Sequence, residues 1–297
     1  MVISPTRHSW LPAYVALGLT WGCSFLLIKL SLGFLTPFGV AFGRCLLGAV
    51  ALYTILRLSH RSLPRDLVVW GHLWILALCM NVVPGVLFAL AETRTTSILA
   101  GIINALTPLT TLFFVMVVFR DEPISRRELL GLAVGIAGVL VVLGVWRGLG
   151  SNPWWAVMAL MLSVTLYGVA FPYTRRHILP RGLAPVALAS AQLMLAALTL
   201  VPSFLLDGLN GHDATFKSAS ALIALGVLGS GLAFAWNFRI IRDAGSSTAS
   251  TVTYLTPIVA VIGGVLFLHE SLRWYEPAGG ALVVLGAAIG QGRFARR

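Results

Sequence analysis

Long apolar runs recur along the whole sequence and restrict what the chain can fold into. Of 297 residues, 58% are hydrophobic and only 10% are charged, whereas a soluble domain carries about 25% charged residues. A helix needs about 20 apolar residues to cross the hydrocarbon core of a bilayer. Ten such runs are predicted, at about residues 11–31, 36–57, 67–90, 95–119, 129–146, 153–173, 183–206, 219–240, 246–268 and 274–291. The sequence therefore predicts an all-α polytopic membrane protein.

The distribution of basic residues predicts an orientation in the membrane. With the N-terminus in the cytoplasm, fifteen arginines fall in inner segments and only four basic residues in outer segments, while Lys29 and Arg44 lie inside apolar runs. Cytoplasmic loops carry an excess of Lys and Arg, so both termini are expected in the cytoplasm. The net charge of +11 is then explained by topology and does not indicate nucleic acid as a partner.

Several classes of protein lack their usual sequence signals here. Cys23, Cys45 and Cys79 all lie in apolar runs, with no spacing for a disulfide framework or a metal site. The first apolar run is too long for a signal peptide and is expected to be helix 1. No phosphate-binding GxxxxGK[ST] loop is present, and no histidine lies mid-span to act as a base. We therefore expect no enzyme activity, no cofactor and no metal.

Two segments about half a chain apart resemble each other: "NALTPLTTLFFVMVVFRDEP" from Asn104 and "TYLTPIVAVIGGVLFLHES" from Thr253. The offset between matching residues stays at 148 or 149 for the pairs Pro108 and Pro257, Glu122 and Glu270, Glu128 and Glu276, and Gly138 and Gly286. "AFGRCLLGAV" matches "ASAQLMLAAL" at the same offset. The sequence therefore predicts a duplication, with one repeat in residues 1–149 and the second in residues 150–297.

Each predicted repeat has five spans, so the second repeat enters the membrane from the opposite side. The charges agree, because the loop with Glu122 carries three arginines and the loop with Glu270 carries only Arg273. Inverted repeats are typical of transporters that expose a site alternately to the two sides of the membrane. We therefore predict a transporter built from two inverted five-helix repeats around a central cavity.

Four prolines inside the apolar runs predict kinks or gates: Pro84, Pro108, Pro172 and Pro257. Thr107 and Thr256 are expected to donate hydrogen bonds to carbonyls that the prolines leave free. The kinks have two interpretations, a packing shape or a bend around a central cavity. Glycines recur at near-turn spacing in the fifth and tenth runs and predict close helix contacts; they are Gly131, Gly135, Gly138, Gly279, Gly280 and Gly286.

These motifs resemble a known family. "TWGCSF" in helix 1, Arg44 in helix 2 and "TP…E" after helices 4 and 9 resemble the EamA-type repeat of the drug/metabolite transporter superfamily. Within it the chain looks most like the bacterial exporters of aromatic amino acids (YddG-type). The resemblance implies a bacterial inner-membrane location and a cavity lined by helices 1, 3, 4, 6, 8 and 9. It leaves open a sugar-phosphate or nucleotide-sugar translocator, or a multidrug exporter of organic cations.

Charged residues near the predicted cavity are few. All ten acidic residues lie in predicted loops or near helix ends, so we expect no buried carboxylate for a proton relay. Facilitated diffusion or uniport is then favoured over obligatory proton antiport. Lys29 is expected to extend to water at the outer end of helix 1. Arg44 is deeper, either a structural group bonded to neighbouring polar atoms or the partner of a substrate carboxylate, although its repeat equivalent is the neutral Gln192.

Aromatic and neutral polar side chains are left to line the cavity. Aromatic faces suit flat apolar side chains, and amides can hold the ammonium and carboxylate groups of an amino acid. Some aromatic residues can instead be anchors at the membrane interface. The candidate substrate-binding residues are Trp21, Ser24, Asn81, Phe88, Asn104, Tyr167, Phe171, Trp236, Asn237 and Tyr254, with Tyr173 and Thr253 as further candidates. The expected partners are a small-molecule substrate and the bilayer, with no ATPase subunit, and the protein is expected to be a monomer.

Overall fold

The computed structural model describes residues 10–119, 126–144, 146, 152–209 and 212–290. Glu122 lies outside the described residues, and so does the side chain of Glu128, so their predicted equivalence to Glu270 and Glu276 stays a prediction. Within the described part the fold is helical. Leu35 and Leu209 form an isolated antiparallel β-bridge.

Eight helical segments of the described chain are long and apolar enough to cross a membrane. Two shorter helices cover the fifth and tenth predicted runs. In chain order the helices are α1 (Leu11–Ser31), α2 (Pro37–Leu58), α3 (Leu67–Glu92), α4 (Ser97–Phe119), α5 (Arg126–Leu143), α6 (Trp154–Arg181), α7 (Pro185–Asp207), α8 (Phe216–Ala244), α9 (Ser246–Leu268) and α10 (Tyr275–Gly290). The prediction of a polytopic helical membrane protein is confirmed, while ten membrane crossings remain a prediction.

Four of the long helices are interrupted near their middle. α3 and α8 contain π-helical turns at Leu78–Val82 and Leu225–Leu232. α4 is broken after Asn104, and α9 contains a 3₁₀ turn at Thr251–Tyr254. Irregular backbone at membrane depth is tolerated where it is buried in protein or lines a cavity, and π turns are frequent at functional sites. The interruptions therefore indicate where a site lies.

The two Leu-Thr-Pro sequences form these breaks in α4 and α9. Pro108 and Pro257 each lie in the first turn of a new helical segment, where a missing N–H costs little. The Thr107 hydroxyl donates to the carbonyl of Asn104 over 2.8 Å, and the Thr256 hydroxyl donates to the carbonyl of Thr253 over 2.7 Å. The predicted role of the two threonines is confirmed.

The other two prolines also lie in the long helices. Pro84 begins the segment that follows the π turn of α3. Pro172 lies inside α6, where the helix continues past it to His177. Both side chains are buried. Proline interrupts the hydrogen-bond ladder of a helix at its own position, so each of these helices is weakened at one buried point.

Helices α5 and α10 pack backbone against backbone. A Cβ atom built on Gly138 would lie 2.6 Å from the amide nitrogen of Val283, and one on Gly286 would lie 2.4 Å from the amide nitrogen of Gly135. No side chain fits at these distances, so glycine is required by the close approach. The prediction that these glycines make close helix contacts is confirmed, and the structure shows that α5 and α10 contact each other.

Helix α1 lies at the centre of the contacts that enclose the site. Two glycines of α1 pack against side chains of α9. A Cβ atom added to Gly18 would lie 2.4 Å from the side chain of Leu255, and one added to Gly22 would lie 2.5 Å from that of Val259. α1 also contacts α8, while α3 and α4 contact α6. The helices that the resemblance assigned to the cavity wall are therefore neighbours in the structure.

Candidate binding cavity

A small buried cavity lies where these interrupted helices meet. The space open to the centre of a water molecule is about 40 Å³, room for about three waters. Its walls are formed by Trp21, Ser24, Phe25, Ile28, Arg44, Met80, Phe88, Asn104, Tyr167, Phe171, Phe234 and Thr253. In this conformation the cavity is too small for a molecule of the size of an amino acid.

Aromatic rings form much of the cavity wall. The ring centroids of Trp21 and Phe234 are 5.9 Å apart, with the planes at 64°. Phe88 lies 5.5 Å from Phe25 and 5.9 Å from Tyr167, and its plane is at 21° to that of Tyr167. Aromatic pairs are favourable at 4.5–7 Å. The rings present flat apolar faces to whatever occupies the space between them.

Arg44 brings a positive charge to the wall. Its Nε donates to the Ser230 hydroxyl over 2.9 Å, which joins α2 to the π turn of α8. Within the described residues no carboxylate lies within 4.0 Å of its guanidinium. A guanidinium group has five N–H donors in a planar fork that matches a carboxylate. Arg44 therefore has a structural hydrogen bond and remaining donors for a ligand.

Neutral oxygen atoms lie beside this charge. Ser24 donates to the carbonyl of Thr20 over 2.9 Å, and Thr253 donates to the carbonyl of Ser250 over 2.8 Å. A hydroxyl group that donates one hydrogen bond keeps its acceptor lone pairs. The amide of Asn104 lies between α4 and α9, with its Nδ2 3.4 Å from the hydroxyl of Thr256. The cavity thus offers acceptors for an ammonium group without a full negative charge.

Many of the residues predicted from the sequence meet in this one cavity: Trp21, Ser24, Arg44, Phe88, Asn104, Tyr167, Phe171 and Thr253. Five others lie elsewhere. The hydroxyl of Tyr173 forms a hydrogen bond of 2.7 Å with Nδ1 of His72. Asn81 accepts a hydrogen bond of 2.5 Å from Gln192, and Trp236 lines a separate groove between α2, α7 and α8. Asn237 is buried away from the cavity, and Tyr254 packs against the apolar cluster around α4 and α6.

Four lining residues were missed in the sequence: Phe25, Ile28, Met80 and Phe234. Phe25 and Ile28 follow Trp21 by four and seven residues, so helical spacing puts all three on one face. Met80 had no such signal, because the π turn at Leu78–Val82 changes the direction in which each side chain points.

A second polar group lies near one end of α1 and corrects two expectations. The Lys29 ammonium donates to the carbonyls of Glu92 (2.5 Å) and Thr95 (2.7 Å), so it binds the end of α3 rather than extending to water. The side chain of Glu92 is fully buried, at 0% exposure. The expectation that no buried carboxylate exists is therefore wrong, because a position at the end of a helix did not mean contact with water.

Interrupted helices around a buried cavity are typical of secondary transporters. The model of the EamA-like transporter family matches residues 8–144 and again residues 154–289. The chain belongs to the EamA-like transporter family and is a multi-pass membrane transporter. The resemblance to this family is confirmed, while the finer likeness to aromatic amino acid exporters is not tested.

Proteins of similar sequence are also described as membrane transporters. An uncharacterized transporter of Archaeoglobus fulgidus is 25% identical over 282 residues, which are 93% of this chain and 97% of the relative. The uncharacterized inner membrane transporter YedA of Escherichia coli K12 is 27% identical over 269 residues, 89% of this chain and 84% of the relative. One solved crystal structure, described only as that of a protein, has a TM-score of 0.72 at 20% identity and covers 98% of this chain and 100% of its own. It is similar in fold.

Proposed function

We propose that the protein exports aromatic and other neutral amino acids across the bacterial inner membrane by alternating access. One observation carries the proposal: a guanidinium group and several aromatic rings line the same buried cavity. Arg44 suits the carboxylate of an amino acid, the rings suit its side chain, and the hydroxyl and amide oxygens suit its ammonium group. Four of the residues predicted from the sequence lie outside the cavity and would reach it only if the helices rotate: Asn81, Asn237, Trp236 and Tyr254.

Two matching contacts support the proposal of inverted repeats in residues 1–149 and 150–297. Arg44 of α2 bonds Ser230 of α8, and Gln192 of α7 bonds Asn81 of α3. Gln192 follows Arg44 by 148 residues, and Ser230 follows Asn81 by 149. Each contact therefore joins the second helix of one half to the third helix of the other, as expected for two halves that rock against each other.

The prolines support hinges at the cavity wall. Asn104 and Thr253 both line the cavity and lie four residues before Pro108 and Pro257, at the breaks in α4 and α9. Bending at such a break moves one half of a helix with little loss of hydrogen bonds. We propose that Pro108 and Pro257 are the main hinges and that Pro84 and Pro172 let α3 and α6 follow.

The charges of the cavity favour this substrate over the alternatives. Among the described lining residues Arg44 is the charged one, and a lone guanidinium repels organic cations. A sugar phosphate calls for several basic groups around its phosphate, but Lys29 is engaged by two backbone carbonyls outside the cavity. A zwitterion with an aromatic side chain fits the charges best.

Transport by purified protein in liposomes tests the proposal. Vesicles loaded with unlabelled tryptophan are expected to accumulate labelled tryptophan, phenylalanine or tyrosine, without ATP and without a pH gradient. Glucose 6-phosphate and tetraphenylphosphonium are expected to move no faster than in protein-free vesicles. Absence of amino acid exchange above protein-free vesicles contradicts the substrate, and strict dependence on a proton gradient contradicts facilitated diffusion.

Trp21 and Trp236 form a matched pair for testing the site. Replacing Trp21 by Ala is expected to lower tryptophan exchange about tenfold, because it removes aromatic contact and buried area worth about 1.4 kcal/mol. Replacing Trp236 by Ala is expected to leave exchange within about twofold, since Trp236 lines a different groove. Equal losses in the two variants, at equal amounts of folded protein, would show that this cavity is not the site.

A further inference from the structure

One end of the molecule is closed by a carboxylate that joins the two halves. We call it the Glu270 end, and it is the predicted outer face. Glu270 follows α9, and its Oε1 accepts from the Ser97 amide over 2.9 Å. Its Oε2 accepts from the Ser97 hydroxyl (3.0 Å) and the Ile98 amide (3.2 Å). Amides at a helix N-terminus stabilise a negative charge. These three contacts therefore bind Glu270 to the start of α4 while this end is closed.

Glu92 lies near this contact, and among the described residues its carboxyl group has neither a hydrogen-bond partner nor an ion pair. Its side chain is fully buried, and neither carboxyl oxygen has a hydrogen-bond partner among the described residues. The charged groups that interact electrostatically with it are Lys29 of α1, Arg44 of α2 and Glu270 after α9. None of the basic groups described forms an ion pair with it within 4.0 Å.

An ionised carboxylate in this position would be strongly unfavourable. Moving an ion out of water costs several kcal/mol unless a partner at good geometry compensates. The Lys29 ammonium already donates to the carbonyls of Glu92 and Thr95, and the nearby Glu270 charge repels a second negative charge. The neutral carboxyl group is the form that fits this environment.

We propose that Glu92 is a proton-binding site whose protonation is linked to closure of the Glu270 end. The inference rests on the proposed alternating access. When this end opens, Glu270 leaves Ser97 and water reaches Glu92, whose O–H bond breaks and gives one proton to the water. The carboxylate is then solvated beside Lys29. Closure reverses the step and takes one proton from the same side.

The direction of the pH effect follows from this balance. The closed form holds one more proton than the open form, so acid on this side favours closure and alkali favours opening. One linked proton changes the ratio of the two forms by up to about tenfold per pH unit. Because Glu92 exchanges its proton with one side only, no proton crosses the membrane. Transport therefore needs no proton gradient, although its rate depends on the pH at the Glu270 end.

Accessibility of a buried reporter tests the inference without any substrate. Ile98 is fully buried in this structure, so Ile98→Cys is introduced into the full chain after its three native cysteines are replaced. Labelling by a water-soluble maleimide is measured over a pH series and divided by labelling of Ser271→Cys, an exposed position, which removes the pH dependence of the thiol itself. The ratio is expected to rise up to about tenfold per pH unit.

Three further variants decide whether Glu92 is responsible. Glu92→Gln cannot release a proton and is expected to keep labelling low at every pH, and Glu270→Gln is expected to raise it at every pH. Asp66→Asn is the matched control, because Asp66 pairs with Arg181 over 2.8 Å in another part of the structure and the pH dependence should survive. If Glu92→Gln does not fold, Glu92→Met takes its place.

The outcomes separate this inference from the proposed function. A pH dependence that persists unchanged in the Glu92 variant, or is absent in the parent protein, overturns the inference while leaving amino acid transport standing. A dependence that disappears with low labelling in the Glu92 variant and survives in Asp66→Asn supports the inference, even if liposomes show no amino acid exchange and the proposed substrate fails.

Discussion

Replacing Arg44 by Gln is expected to lower the exchange of tryptophan about 30-fold. The guanidinium is the charged group that the described cavity wall presents to a carboxylate. Loss of one partner from a buried charge pair costs about 2 kcal/mol or more, which is about 30-fold in affinity. Gln also occupies the equivalent position in the second half, at Gln192, so the variant retains a side chain that this fold accepts.

Controls separate the binding of a carboxylate from a structural role of Arg44. Ser230→Ala removes the hydrogen bond to Nε but keeps the charge, and is expected to lower exchange by threefold at most. Tryptophanol keeps the ammonium group but lacks the carboxylate, so it is expected to bind Arg44→Gln at least as well as the parent protein. If Arg44→Gln weakens tryptophan and tryptophanol alike, Arg44 is a structural group and does not bind substrate.

The second large effect is expected from Gly138→Leu, which should destabilise the protein by about 3 kcal/mol or more. Overpacking a well-packed contact costs about 1–3 kcal/mol, and here the new side chain meets backbone atoms of α10, which cannot move aside alone. The amide nitrogen of Val283 lies 2.6 Å from the position of the added Cβ. The thermal midpoint of unfolding in detergent and the yield of monodisperse protein measure the effect.

Gly71→Leu is the matched control for this variant. Gly71 lies in α3, and no atom is found within 4 Å of its added Cβ. Leucine also favours a helix over glycine by roughly 0.8 kcal/mol, so the control is expected to unfold at the same or a slightly higher temperature. Equal stability of Gly138→Leu and the parent protein would mean that α5 and α10 are not packed as the structure has them.

The burial of Glu92 bears on how transport is coupled to an energy source. The sequence favours facilitated diffusion because all acidic residues lie near helix ends, and Glu92 does lie at the end of α3. Its side chain is nevertheless fully buried. Linkage of Glu92 to closure adds a dependence on pH but transfers no proton between the two sides, so it is compatible with uniport.

Patterns local to the chain determined the class, the helix positions and several contacts. Apolar runs long enough to cross a bilayer predicted the ends of the helices to within four residues, except that α6 extends eight residues past its predicted end. The partners of the free carbonyls at Pro108 and Pro257 followed from the adjacent threonines, because a hydroxyl three residues from a carbonyl can reach it within one turn. The glycines of α5 and α10 likewise revealed a contact, since only glycine permits backbones so close.

Tertiary structure alone decided which side chains share the cavity and which are buried. These helices are apolar on all faces, so periodicity does not distinguish the face toward lipid from the face toward the site. Trp21 and Trp236 are therefore both predicted to bind substrate, although one lines the cavity and the other a separate groove. The π turns at Leu78–Val82 and Leu225–Leu232 changed the register further. The burial of Glu92 and the carbonyl partners of Lys29 depend on segments from distant parts of the chain, which only packing brings together.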